Sequence, residues 1–108
     1  MKVWVMQGIH EGEMFASTHM TEKGAALAAI GEVLEFLGVE DEETALSAMN
    51  MRVRIGESEV NEAPEWDFEK MNDMKRKELW GIFGAWSEFT WDNDCGYQID
   101  VNKTVIAA

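Results

Sequence analysis

The stretch from Lys2 to Gly38, KVWVMQGIHEGEMFASTHMTEKGAALAAIGEVLEFLG, decides the fold. Its first half alternates. Val3, Val5, Gln7 and Ile9 interleave with Trp4, Met6 and Gly8, and after Glu11-Gly12 the residues Met14, Ala16, Thr18 and Met20 interleave with Phe15, Ser17 and His19. A period of two marks a strand, and a two-residue loop ending in glycine suits a tight turn, so Lys2 to Met20 reads as a β-hairpin. That loop sets Ile9 opposite Met14, Val5 opposite Thr18 and Val3 opposite Met20. The face they share is mostly aliphatic and is expected to be the core face. The other face carries Trp4, Met6, Phe15 and His19. It either lies under another element or meets a partner.

The period then changes. Leu27, Ile30, Leu34 and Leu37 recur at helical spacing, with Thr21 placed as an N-cap, Glu22 in the first turn and Gly38 just past the end. A helix from Glu22 to Leu37 follows, and Gly31 is expected to mark close packing against the hairpin. Beyond it, a short helix from Glu42 to Asn50 is expected, with Ala45, Leu46 and Met49 inward. Met51 to Ile55 reads as a strand and Gly56 to Pro64 as a polar loop. A second long helix, capped by Asp67, is predicted to run to Phe89. Its second half, with Leu79, Trp80, Phe83 and Trp86, is apolar nearly all round, so it is either buried on every side or partnered. Tyr97, Ile99 and Val101 read as a last strand that continues toward Ile106. The expected architecture is one α+β domain spanning 1–108, with the hairpin packed on two main helices and a small mixed or antiparallel sheet.

Composition narrows the functional classes. The chain has 108 residues, 46% of them apolar, enough for one modest core. Asp and Glu total 21 against nine Lys and Arg, a net charge of −12. Such a field repels nucleic-acid phosphates and anionic membranes and favours basic partners. The single cysteine, Cys95, permits no internal disulfide, which fits a reducing compartment. The opening residues lack the pattern of a secretory leader, and no apolar run approaches the roughly 20 residues of a membrane helix. A cytoplasmic location is expected.

Few residues suggest chemistry. Nucleophilic catalysis requires a nucleophile with a base to activate it, and nothing in the pattern links His10 or His19 to Cys95. Two distant histidines and one cysteine do not make a zinc site. Asp92, Asn93, Asp94 and Asp100 surround a glycine turn with hard oxygens. The EF-hand spacing nonetheless fails, because Gly96 comes one position early and the closing glutamate is missing. No glycine-rich phosphate loop is present. The expectation is a protein without catalytic residues, metal or cofactor.

The acidity is clustered. No basic residue interrupts the chain between Lys23 and Arg52, where Glu32, Glu35, Glu40, Asp41, Glu42 and Glu43 fall. None interrupts it between Arg54 and Lys70, where Glu57, Glu59, Glu62, Glu65, Asp67 and Glu69 fall. The cations Lys70, Lys75, Arg76 and Lys77 concentrate on one segment.

The hairpin-plus-helix opening and the compact ending, LWGIFGAWSEFTWDNDCGYQID, resemble the small acidic accessory proteins encoded by bacteriophages and other mobile elements. Those proteins include anti-CRISPR and anti-restriction inhibitors, several of which look like DNA mimics. The resemblance implies an inhibitor of a host nucleic-acid-binding complex without identifying its target; the lack of catalytic groups makes the expected inhibitor non-enzymatic, and the clustered acids supply its expected contact. In that role Glu32, Glu35, Glu40, Asp41, Glu42, Glu43, Glu57, Glu59 and Glu62 would meet Lys and Arg on the target. Aromatic anchors such as Trp80, Trp4, Phe15 or Trp91 would add apolar contact. The alternative is a self-associating structural or assembly protein, a homodimer that buries the aromatic surplus of Leu79 to Trp91.

Overall fold

The computed structural model describes residues 2–10, 12–52, 63–87 and 98–105. Strand β1 (Lys2–His10) and strand β2 (Glu13–His19) form the hairpin, with Ile9 opposite Met14 and Val5 opposite Thr18, the register read from the alternation. Strand β3 (Gln98–Val105) pairs with the other edge of β1, giving an antiparallel sheet of order β2-β1-β3. The fold is α+β.

Helix α1 (Glu22–Leu37) carries the caps its ends call for. The Thr21 hydroxyl oxygen accepts from the Gly24 N–H at 3.0 Å. At the far end Gly38 adopts φ 72°, left-handed backbone that costs an L-residue about 1–2 kcal/mol. There the Gly38 N–H donates to the Glu35 carbonyl and the Val39 N–H to the Leu34 carbonyl, so the helix closes in a Schellman turn. Leu34 and Val39 both enter the core beside it.

Helix α2 (Glu42–Arg52) begins at an N-cap on Asp41. The Asp41 carboxylate accepts from the Thr44 N–H at 2.8 Å, and Thr44 Oγ1 accepts from the Asp41 N–H at 2.9 Å, a reciprocal capping box. Helix runs through Met51 and Arg52, so the strand expected from Met51 does not start there, and the rest of that expectation lies outside the described residues.

The second long helix is broken. Helix α3 (Phe68–Met71), capped by Asp67, stops at Asn72-Asp73, and helix α4 (Arg76–Ser87) restarts beyond. Asn and Asp compete with helical hydrogen bonds through their own side chains. At the break, Asp73 N–H donates to the Lys70 carbonyl and Met74 N–H to the Met71 carbonyl, tightening the turn. The predicted continuation to Phe89 lies outside the described residues.

The core sits between α1, α2 and α4. Ala26, Ile30, Val33 and Leu34 of α1 meet Ala45, Ala48 and Met49 of α2, Met71 of α3, and Leu79 and Trp86 of α4. The Trp86 indole N–H, deep in this core, donates to the Glu65 carbonyl at 2.9 Å. Leu79 and Trp86 are thus covered within the chain, while Gly81 and Gly84 make the exposed side of α4.

The sheet packs against α1 with the face opposite to the one expected. Met6 is buried and Trp4, Phe15, Ser17 and His19 are half-buried, joined by Ile99 and Val101 from β3. His10, on the same side, meets Phe36 of α1 edge-on with centroids 4.5 Å apart. The aliphatic face is the outer one: Val3 is buried there, but Val5 and Ile9 are half-buried, and Met14, at 85%, lies almost fully in solvent. Gly31 faces Phe68 of α3 and not the hairpin; Gly24 is the α1 glycine beside the hairpin, where an added Cβ would stand 3.5 Å from His19.

Candidate functional site

Two differently charged regions occupy opposite ends of α1. Sixteen residues at 1.5 Å each separate them by about 24 Å along the helix.

At the C-terminal end lies an acidic corner. Glu32 and Glu35 come from the last turns of α1, Glu40 and Asp41 from the connecting turn, and Glu42 and Glu43 from the first turn of α2. The six are not equivalent. Asp41 is the α2 cap, and its bonds from the Thr44 N–H and hydroxyl hold its carboxyl below the usual range. Glu32 is half-buried, and desolvation, followed by the nearby charge of Glu35, pushes its carboxyl up. Glu35, Glu40, Glu42 and Glu43 are exposed and form no ion pair among the described residues. A carboxylate in the last turn of a helix opposes the macrodipole, so Glu35 is not placed for helix stability.

The second acidic stretch is less available. Glu57, Glu59 and Glu62 lie outside the described residues. Of their neighbours, Glu65 accepts from the Trp66 N–H at 3.1 Å and pairs with Lys70 at 3.9 Å, and Asp67 caps α3 through the Glu69 N–H. These carboxylates serve local structure.

At the other end of α1, Trp80 belongs to a site that sequence reasoning did not assemble. Its indole N–H donates to Glu22 Oε1 at 3.0 Å, and the Arg76 guanidinium donates to Glu22 Oε2 at 2.8 Å. The Trp80 bond, the largest influence, works against desolvation and with the Arg76 bond and charge holds the Glu22 carboxyl below its ordinary range. Phe83 meets Trp80 edge-on at 5.7 Å, and across β1 and β3 the Lys103 ammonium lies 5.4 Å from the Trp4 ring centre. Between sheet and α4 these side chains, with Ile99 and Val101, bound a cleft of about 520 Å³. Trp4, Glu22 and Arg76 also border an adjoining hollow toward Met20, Lys23 and Lys75. The Lys23 ammonium donates to the Asn72 carbonyl, tying α1 to the break between α3 and α4. The sequence signal for this site was the cationic run at Lys70 to Lys77; nothing in the spacing pointed to Glu22, 54 residues from Arg76.

Trp80 and the acidic corner therefore do not share one contact surface. Among the described residues no three His, Cys, Asp or Glu side chains group as metal ligands. Asp92 and Asp94 lie outside the described residues, and Asp100 is exposed on β3. One polar pair on the inner sheet face, Ser17 Oγ and His19 Nε2 at 2.6 Å, bonds within β2. No helix among the described residues is long and apolar enough to cross a membrane. Comparison of the chain with protein-family models, curated proteins and solved structures returned no match.

Proposed function

We propose that this chain is a non-enzymatic binding protein whose acidic corner occupies the basic surface of a nucleic-acid-binding protein. In that reading it is a phage-encoded inhibitor of a host defence complex, anti-CRISPR or anti-restriction in kind, acting in the host cytoplasm. The supporting observation is the set of four exposed carboxylates, Glu35, Glu40, Glu42 and Glu43, which form no ion pair among the described residues and sit on a corner closed by the Gly38 turn and the Asp41–Thr44 cap. A capped backbone that presents these charges together avoids the entropic cost of ordering a flexible acidic loop on binding.

The test is inhibition of DNA binding by purified CRISPR effectors and restriction enzymes, with and without charge reversal. Replacing the four glutamates by lysine abolishes inhibition, and the wild-type effect weakens steeply with salt. Undiminished inhibition by the reversed protein overturns the proposal.

Self-association is the second reading. It is favoured by the outer sheet face, where Met14 is 85% exposed beside half-buried Val5 and Ile9. A monomeric mass in concentrated solution removes it.

A further inference from the structure

The cleft at the N-terminal end of α1 has a chemistry opposite to the rest of the molecule. The chain carries −12, with only nine basic residues. Four of these, Lys23, Lys75, Arg76 and Lys103, border the cleft and its adjoining hollow, against the single carboxylate of Glu22. The cleft itself sets Arg76 and Lys103 against Glu22, and the hollow beside it adds Lys23 and Lys75. The walls are aromatic: Trp4 from the sheet, Trp80 and Phe83 from α4. Glu22 fixes Trp80 and Arg76 together, so the aromatic wall and the guanidinium are positioned before any ligand arrives. The cations also stand where helix dipoles make them unfavourable, since Lys23 falls in the first turn of α1 and Arg76 opens α4. A volume of about 520 Å³ falls within the range of small-molecule sites.

We propose that this cleft binds a small aromatic phosphate, a nucleobase carrying a phosphate group. The base stacks on the indole walls, as bases do on aromatic platforms in single-strand sites. The phosphate is held by the N–H groups of Arg76 other than the one given to Glu22, and by Lys103 and Lys75. Arg76 and Lys103 in the cleft, with Lys75 at the edge of the hollow, suit a dianion better than a monocarboxylate. The ligand is either a free mononucleotide or the phosphorylated, unpaired end of a strand. This site is independent of the acidic corner and stands or falls without it.

Titration calorimetry and tryptophan fluorescence on the full chain decide it, with AMP, adenosine, inorganic phosphate and a 5′-phosphorylated oligothymidylate as probes. AMP binds saturably, and adenosine and phosphate bind at least about tenfold more weakly, each lacking one half of the recognition. Lys103→Gln weakens AMP binding about tenfold while leaving the circular dichroism spectrum unchanged, and Lys77→Gln, outside the cleft lining, leaves binding unchanged. Saturable binding of the oligonucleotide but not of AMP assigns the site to strand ends. No saturable binding of either below about 5 mM overturns the proposal, as does equal binding of inorganic phosphate alone or an undiminished affinity in Lys103→Gln.

Discussion

The indole N–H of Trp80 donates to the carboxylate of Glu22 at 3.0 Å, joining α4 to the first turn of α1 across 58 residues of chain. The same carboxylate receives Arg76. Glu22 thus links the two main helices and shapes one wall of the cleft.

This bond makes the clamp sensitive to acid. The Glu22 carboxyl lies lower in the folded protein than in the unfolded chain, so its stabilisation is present above the ordinary carboxylate range, near pH 4.3, and is lost as pH falls through the lowered value. The wild-type advantage over Glu22→Gln in urea midpoint is expected to be constant from pH 7 to 5 and to shrink below pH 4. An advantage that does not change with pH contradicts the assignment.

Glu32 has the opposite sign. Burial raises its carboxyl, so the folded state holds that proton more tightly, and stability is lost as pH rises through the folded value. Glu32→Gln is expected to raise the thermal midpoint at pH 7 and to change little below pH 4, which calorimetry at both pH values reads directly.

Gly8 is expected to tolerate no side chain. A Cβ there would lie 2.4 Å from the Gln98 carbonyl oxygen and 2.5 Å from Phe15 Cζ, and the first of these is backbone that cannot swing aside. Gly8→Ala should cost about 1–3 kcal/mol in urea denaturation, the range for overpacking, by loosening β3 from β1.

Stability and partner binding should separate at the acidic corner. Glu35→Lys places a cation in the last turn of α1 and is expected to stabilise by about 0.3–1 kcal/mol, whereas Glu42→Lys opposes the dipole at the start of α2 and should destabilise by a similar amount. Both should weaken inhibition of the target. Inhibition that instead follows the thermal midpoint would make the corner a stability element.

Asp41→Ala tests the distinction within that corner. Loss of the α2 cap should lower the midpoint of chemical denaturation, with less effect on inhibition than reversal of the exposed Glu40.

The amino-acid sequence by itself determined what depends on neighbours in the chain. The alternation of β1 and β2 set the hairpin register, Thr21 and Gly38 bounded α1, and the basic-free run from Glu32 to Glu43 created the acidic corner. These rest on caps, turn geometry and charge, which act over a few residues. Asn72-Asp73 was legible as a helix breaker only in principle, because the apolar spacing on either side continued across it. Tertiary structure alone decided which sheet face is buried. Both faces carry large apolar residues, so alternation could not choose, and α1 docked on the side of Met6, Phe15 and His19, leaving Met14 in water. The cleft was likewise invisible. Trp4, Glu22, Arg76 and Lys103 come from four separate elements, and only the packing of α4 on α1 and of β3 on β1 brings them together.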